Sequence, residues 1–178
     1  MAVFSQNRIQ QLLNQSDNAP NADAKGRIFE DLVEYLITKF RGIRLAERNV
    51  LDATGSQELD LLFWNNRLES FFDFLDPIIM CKCKNEADPL SSASVREFVH
   101  KLRTRGANSG ILVSSSGISG QLNGFRHANS VIMDALSIDR IKVIVIDRDE
   151  IQSFTNTDDL FRNISDKYLR LTVRRTIQ

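Results

Sequence analysis

Two predicted strands carry acidic and basic side chains at alternating positions. Glu58 and Asp60 project from one face of the first strand, because successive residues of a strand point to opposite sides. Lys82 and Lys84 share a face of the second strand in the same way. If the two strands are neighbours in a sheet, these carboxylates and ammonium groups meet across it.

Such a meeting of charges is what hydrolysis of a phosphodiester requires. A divalent cation held by carboxylates polarises the phosphate and lowers the pKa of an attacking water. A nearby lysine stabilises the developing negative charge or positions the water. Spacing alone leaves a second interpretation open, in which Asp60 and Lys84 form only a surface ion pair.

A third carboxylate, Glu30, lies on a predicted amphipathic helix. It precedes Ile37 by two helical turns, and at about 100° per residue the two side chains lie about 20° apart around the helix. We therefore expect Glu30 at the edge of the apolar stripe, facing the margin of the sheet.

Hydrophobic periodicity and turn residues predict the elements that position these side chains. The predicted helices are 4–14, 25–40, 94–105, about 121–136 and 157–169, and the predicted strands are 43–51, 58–64, 77–83, 110–113 and 141–146. The turn-rich residues 52–56 predict a hairpin between the first two strands. This order predicts an α/β fold with a mixed central sheet flanked by helices: αβββαβ, then a C-terminal αβ unit and a helix.

Polar residues 14–24 are interpreted as a linker. The predicted division is an N-terminal helix and linker over 1–24 and one domain over 25–178. The N-terminal helix is expected to dock on a neighbouring subunit, which would give a homodimer.

Composition favours an ordinary globular domain. Hydrophobic residues make up 42% of the 178 residues and charged residues 26%, which excludes disordered and membrane-spanning classes. The 23 basic and 23 acidic residues cancel, so any binding of phosphate must be local. With two cysteines and no targeting segment recognised, we expect a reducing cytoplasm.

Taken together, the motifs resemble the PD-(D/E)XK, or restriction-endonuclease-like, superfamily and its Mrr-like branch. The resemblance covers about residues 25–146. It rests on the segments 26–30, 55–60, 82–85, 95–98 and 110–114, which read GRIFE, GSQELD, KCKN, VREF and GILVS. It implies a restriction-endonuclease-like core and a nuclease that uses Mg²⁺ or Mn²⁺.

The resemblance also implies roles for particular residues. Asp60 would bind the metal, Lys84 would be the motif lysine, Glu30 would assist the metal, and the backbone carbonyl of Cys83 would complete its coordination. Lys82 departs from the pattern, because family members usually carry Glu, Asp or Gln there. One pair of unit charges at about 4 Å is worth about 4 kcal/mol at an effective dielectric constant of about 20, so an ammonium group here discourages a cation.

Two functional hypotheses follow. The first is a metal-dependent DNA endonuclease domain impaired by Lys82, with Glu58 or Glu30 as replacement ligand, or with residue 82 itself an introduced change. The second is a catalytically inactive module for nucleic-acid binding or assembly. Its basic cleft would be lined by Lys82, Lys84, Lys101, Arg103 and Arg105. The expected partners are DNA or RNA and a protein that targets the domain.

Overall fold

A mixed sheet of five strands forms the centre of the part of the chain that the computed structural model describes, residues 1–51, 58–118 and 128–174. Its strands are β1 (Ile43–Leu51), β2 (Glu58–Asn65), β3 (Ile78–Lys84), β4 (Ser109–Ser114) and β5 (Lys142–Asp147). They lie side by side in chain order. The first three pair antiparallel, whereas β4 and β5 continue the sheet in parallel from β3. The predicted α/β class with a mixed sheet is confirmed.

Helices cover both faces of this sheet. They are α1 (Gln6–Asp17), α2 (Ala22–Ile37), α3 (Ser92–Thr104), α4 (Ala128–Asp134), α5 (Arg148–Ser153) and α6 (Thr157–Leu169), with π-helical turns at Ala135–Asp139 and Arg170–Arg174. Polar N-caps begin most of them, such as Asn21 before α2 and Ser91 before α3, because their side chains accept otherwise unpaired amides of the first turn. No helix in the described ranges is long and apolar enough to cross a membrane.

One face of the sheet packs under α2, α5 and α6 around an aliphatic and aromatic cluster. That cluster includes Val33, Leu36, Ile37, Ile111, Val113, Ile146, Ile151, Phe154 and Leu160. All residues of β4 are buried, as expected for a parallel strand covered on both sides.

The other face packs under α3, and Gly110 on β4 permits the close approach. A Cβ at this position would lie 2.7 Å from side-chain atoms of Phe98 and Leu102, both of which are buried. Helix α3 therefore rests on bare backbone, and this contact fixes its distance from β3 and β4.

The N-terminal segment differs from its prediction. Helix α1 continues to Asp17 and α2 already begins at Ala22, so the predicted linker 14–24 is mostly helical. The polar composition was misleading because tertiary contacts outweigh local propensity. The Ser16 hydroxyl donates to the Lys25 carbonyl at 2.7 Å, and both Asp17 carboxylate oxygens accept from Arg148 at 2.6 and 2.8 Å.

Helix α1 packs within its own chain. Ile9 and Leu13 are fully buried, and the helix lies against α2 and α5. The apolar face of this helix is therefore covered within its own chain, and docking on a neighbouring subunit stays a prediction.

The remaining elements lie close to their predicted positions. Strand bounds agree within one residue, and α6 has the predicted bounds. Helix α5 was missed although its capping box is visible in the sequence: Asp147 accepts from Glu150 N, and the Glu150 carboxylate accepts from Asp147 N. The predicted turn 52–56 and residues 121–127 of a predicted helix lie outside the described residues.

We expect Gly110→Ala to lower the free energy of unfolding by about 1–3 kcal/mol, because the added methyl group overpacks the contact with α3. Gly26→Ala is the matched control. Nothing lies within 4 Å of a Cβ there, so that substitution in a helix should stabilise the fold by about 0.5–1 kcal/mol. Urea denaturation measures both values, and equal effects of the two substitutions would contradict the packing argument.

Candidate functional site

The carboxylate of Asp60 lies where the described pairing of β2 with β3 ends. The ladder runs as far as Leu61 opposite Cys81. Beyond it, the backbone N–H of Cys83 donates to Asp60 Oδ2 at 2.6 Å. The side chain of Asp60 is only 6% exposed, so this carboxylate is enclosed between the two strands.

Lys82 bonds the other oxygen of the same carboxylate. Its Nζ lies 2.6 Å from Asp60 Oδ1, so each oxygen of Asp60 accepts a hydrogen bond from β3. Burial lowers the pKa of Lys82, but the neighbouring Asp60 charge and hydrogen bond raise it, and the net change is upward. Lys82 is therefore an ammonium group, placed directly on the carboxylate that was predicted to bind metal.

Lys84 contacts a different set of groups. Its Nζ donates to the Ser94 hydroxyl at 3.1 Å and lies 3.1 Å from the Glu86 carboxylate. The alternative of a surface ion pair between Asp60 and Lys84 is wrong, because the lysine that pairs with Asp60 is Lys82 and the carboxylate is buried. Lys84 instead links the end of β3 to the first turn of α3.

Glu30 is buried beside this ion pair. It is 9% exposed, and its Oε2 has no hydrogen-bond partner among the described residues. Burial raises the pKa of Glu30 to about 7, the Asp60 charge adds to the rise, and Arg48 and Lys82 oppose it. Near neutral pH this carboxyl group is therefore part protonated.

The donor set does not fit a divalent cation in this arrangement. Within residues 1–51, 58–118 and 128–174, no group of three or more His, Cys, Asp or Glu side chains could hold a metal ion. Lys82 places a positive charge against Asp60, and both oxygens of that carboxylate already accept hydrogen bonds from β3. Like charges repel strongly at such distances, so the arrangement opposes metal binding.

A cleft opens between β3 and α3 beside these residues. Its polar lining includes Lys82, Lys84, Glu86, Ser94, Glu97 and Lys101, above the apolar Leu90, Phe98 and Leu112. The structure thus brings together three of the five basic residues predicted to line a cleft. Arg103 instead pairs with Asp139, and Arg105 donates to the Lys101 carbonyl at 3.3 Å.

Glu97 was not recognised from the sequence, although a signal for it exists. It precedes Lys101 by four residues on α3, a spacing at which opposite charges meet on one helix face. The hydrogen bond from Lys101 lowers the pKa of Glu97; burial opposes this, and the charges of Lys101, Lys82 and Lys84 lower it further.

We expect Glu30→Gln to remove a pH dependence of stability. The pKa of Glu30 is about 7 in the fold against 4.5 in the unfolded chain, so the wild type is not penalised below pH 4.5 and loses stability as pH rises to 7. The full loss, reached above pH 7, is on the order of 3 kcal/mol. Glu30→Gln should therefore gain stability over the wild type between pH 4.5 and pH 8 in urea denaturation.

Glu47→Gln, at an exposed position of β1, is the control for that measurement. It should keep the pH dependence of the wild type. A constant difference between Glu30→Gln and wild type across this pH range would show that the buried carboxyl group does not hold its proton.

The chain was compared with known protein families and with curated proteins. The family described as Mrr_cat, restriction endonuclease, matches residues 22–155, which contain all the candidate residues of the cleft and the sheet edge. No curated protein matches the chain. The matched segment begins with α2 and extends just past α5, so it includes the whole sheet. The chain belongs to the restriction endonuclease family, in its Mrr-like branch.

Proposed function

We propose that this domain binds the sugar-phosphate backbone of DNA in the cleft between β3 and α3, and that Lys82 keeps it from cleaving the strand. The observation that carries the proposal is the 2.6 Å contact between Lys82 Nζ and Asp60 Oδ1. This ammonium group neutralises the carboxylate on which a restriction-endonuclease site would hold its cation. Family membership supports DNA as the partner, and RNA is the alternative polymer.

The cleft suits phosphate oxygens. Lys82 and Lys84 reach it from the sheet, and Lys101 reaches it from α3. Ammonium and hydroxyl groups are the common donors to nucleic-acid backbones, and Ser94 supplies a hydroxyl beside Lys84. Since the chain has zero formal net charge, this local cluster, and not a global field, must attract the polymer.

Metal-dependent cleavage of DNA is the second candidate function. It is favoured by Glu30 Oε2, which is buried without a partner among the residues that the structure describes, and whose pKa is raised in part by the Asp60 charge. In that case Asp60, Glu30 and the Cys83 carbonyl would hold Mg²⁺ or Mn²⁺ after Lys82 turned away, with Lys84 as the motif lysine. Pairing of two copies and a targeting protein partner are further proposals of the same kind, as is a cytoplasmic location.

Binding is tested by fluorescence anisotropy with a labelled DNA duplex in EDTA over a range of salt concentrations. Lys84→Met should weaken binding and lower the slope of log affinity against log salt by about 0.9, the value for one lost phosphate contact. Lys39→Met is the matched control, because Lys39 is an exposed lysine near the C-terminal end of α2. Equal effects of both substitutions would place the DNA elsewhere.

Cleavage is tested with supercoiled DNA in Mg²⁺ or Mn²⁺. The wild type should not cut, and Lys82→Glu should cut, because it returns a carboxylate to the usual acidic position. Adding Asp60→Ala to Lys82→Glu should abolish that activity. Lys82→Gln is tested as a second variant. It removes the ammonium group but, unlike Lys82→Glu, adds no further carboxylate beside Asp60.

Two outcomes of the cleavage assay would overturn the proposal. If the wild type cuts and Asp60→Ala abolishes cutting, the second candidate function is correct. If the wild type and Asp60→Ala both cut equally well, the active site lies elsewhere.

A further inference from the structure

The charged groups of the cleft form three ion pairs, in which three ammonium groups are balanced by three carboxylates. Lys82 pairs with Asp60, Lys84 with Glu86, and Lys101 with Glu97. A polyanion that approaches the cleft therefore meets a carboxylate beside each ammonium group. Binding of a phosphate requires that at least one of these carboxylates give way.

The three carboxylates differ in how they are held. The Glu86 side chain is 57% exposed, but its partner Lys84 is itself 26% exposed, so this pair does not cover a buried ammonium group. The Asp60 side chain is 6% exposed and bonded at both oxygens, so its displacement would leave a buried charge unpaired. The Glu97 side chain is 64% exposed, and water can solvate it wherever it turns. Ion pairs with an exposed member are weak, so Glu97 leaves its partner at little cost.

Lys101 has the opposite character. Its side chain is only 4% exposed, and its Nζ donates to Glu97 Oε1. The ammonium group is thus held inside the cleft wall, with an exposed carboxylate above it. If Glu97 turned away with nothing in its place, Lys101 would be left as a buried charge with one partner fewer, which is unfavourable.

We infer that Glu97 is a displaceable internal counter-ion, which occupies the position of a backbone phosphate on Lys101 until a nucleic acid replaces it. This inference rests on the proposed binding of nucleic acid in the cleft. The lowering of the Glu97 pKa by Lys101, Lys82 and Lys84 agrees with it, because it places this carboxylate within the field of all three lysines. A phosphate oxygen at the same point would meet the same three charges.

The test compares two carboxylates of similar exposure. Glu97→Gln and Glu69→Gln each remove one negative charge, but Glu69 pairs with the exposed Arg41 and lies in the loop after β2. In anisotropy titrations with a DNA duplex in EDTA, Glu97→Gln should bind about two- to fivefold more tightly than the wild type, a change in keeping with loss of one weak ion pair. Glu69→Gln should leave the affinity close to that of the wild type.

Lys101→Met provides the second comparison. If Glu97 acts by covering Lys101, then Glu97→Gln should give no gain in affinity when Lys101→Met is also present. If Lys101→Met fails to fold, the comparison of Glu97→Gln with Glu69→Gln decides by itself.

The outcomes separate this inference from the proposed function. Binding by the wild type with equal effects of Glu97→Gln and Glu69→Gln would overturn the counter-ion inference alone, as would weaker binding by Glu97→Gln. Absence of binding by the wild type and by every variant at low salt would overturn both.

Discussion

The bonds from Lys82 and Cys83 to the Asp60 carboxylate determine how the functional end of this sheet is built. Antiparallel pairing of β2 with β3 runs only to Leu61 and Cys81, and the carboxylate then takes the hydrogen bond that a carbonyl would otherwise accept. A buried carboxylate needs a compensating charge, and loss of one partner from such a pair costs about 3–5 kcal/mol. The Lys82 ammonium group supplies that charge from within the chain. The Lys82–Asp60 ion pair therefore both compensates the buried charge and opposes binding of a cation at Asp60.

The cleft beside this ion pair also contains a carboxylate paired with an ammonium group on α3, Glu97 with Lys101. An electrically neutral chain attracts a polyanion only where its positive charges are concentrated and its negative charges can move aside. On the sheet side, the negative charge of Asp60 is fixed by hydrogen bonds. On the helix side, Glu97 is exposed and Lys101 is buried. Asp60 is thus a fixed negative charge of the cleft, whereas Glu97 can turn away from the buried Lys101.

Much of this arrangement was predictable from sequence. Strand alternation placed Asp60 and Lys82 on a common face, and helical periodicity placed Glu30 at the sheet margin, because both periods follow from backbone geometry. The actual partner of Asp60 was not predictable, since it depends on where β2 and β3 separate. The docking of α1 was missed because Ser16 and Asp17 obtain partners from distant parts of the chain, Asn85 and Arg148. The composition of a segment does not predict such contacts.

The absence of a side chain at Gly110 links two properties that are usually treated separately. Because α3 rests on this bare stretch of β4, the height of the helix above the sheet is set there, and with it the depth of the cleft in which Lys101 lies. The contact of Phe98 and Leu102 with Gly110 thus determines how far Lys101 lies from the sheet. A substitution that makes the cleft deeper or shallower would have to change the hydrophobic contact under α3. Such a substitution would therefore change ligand affinity and thermodynamic stability together.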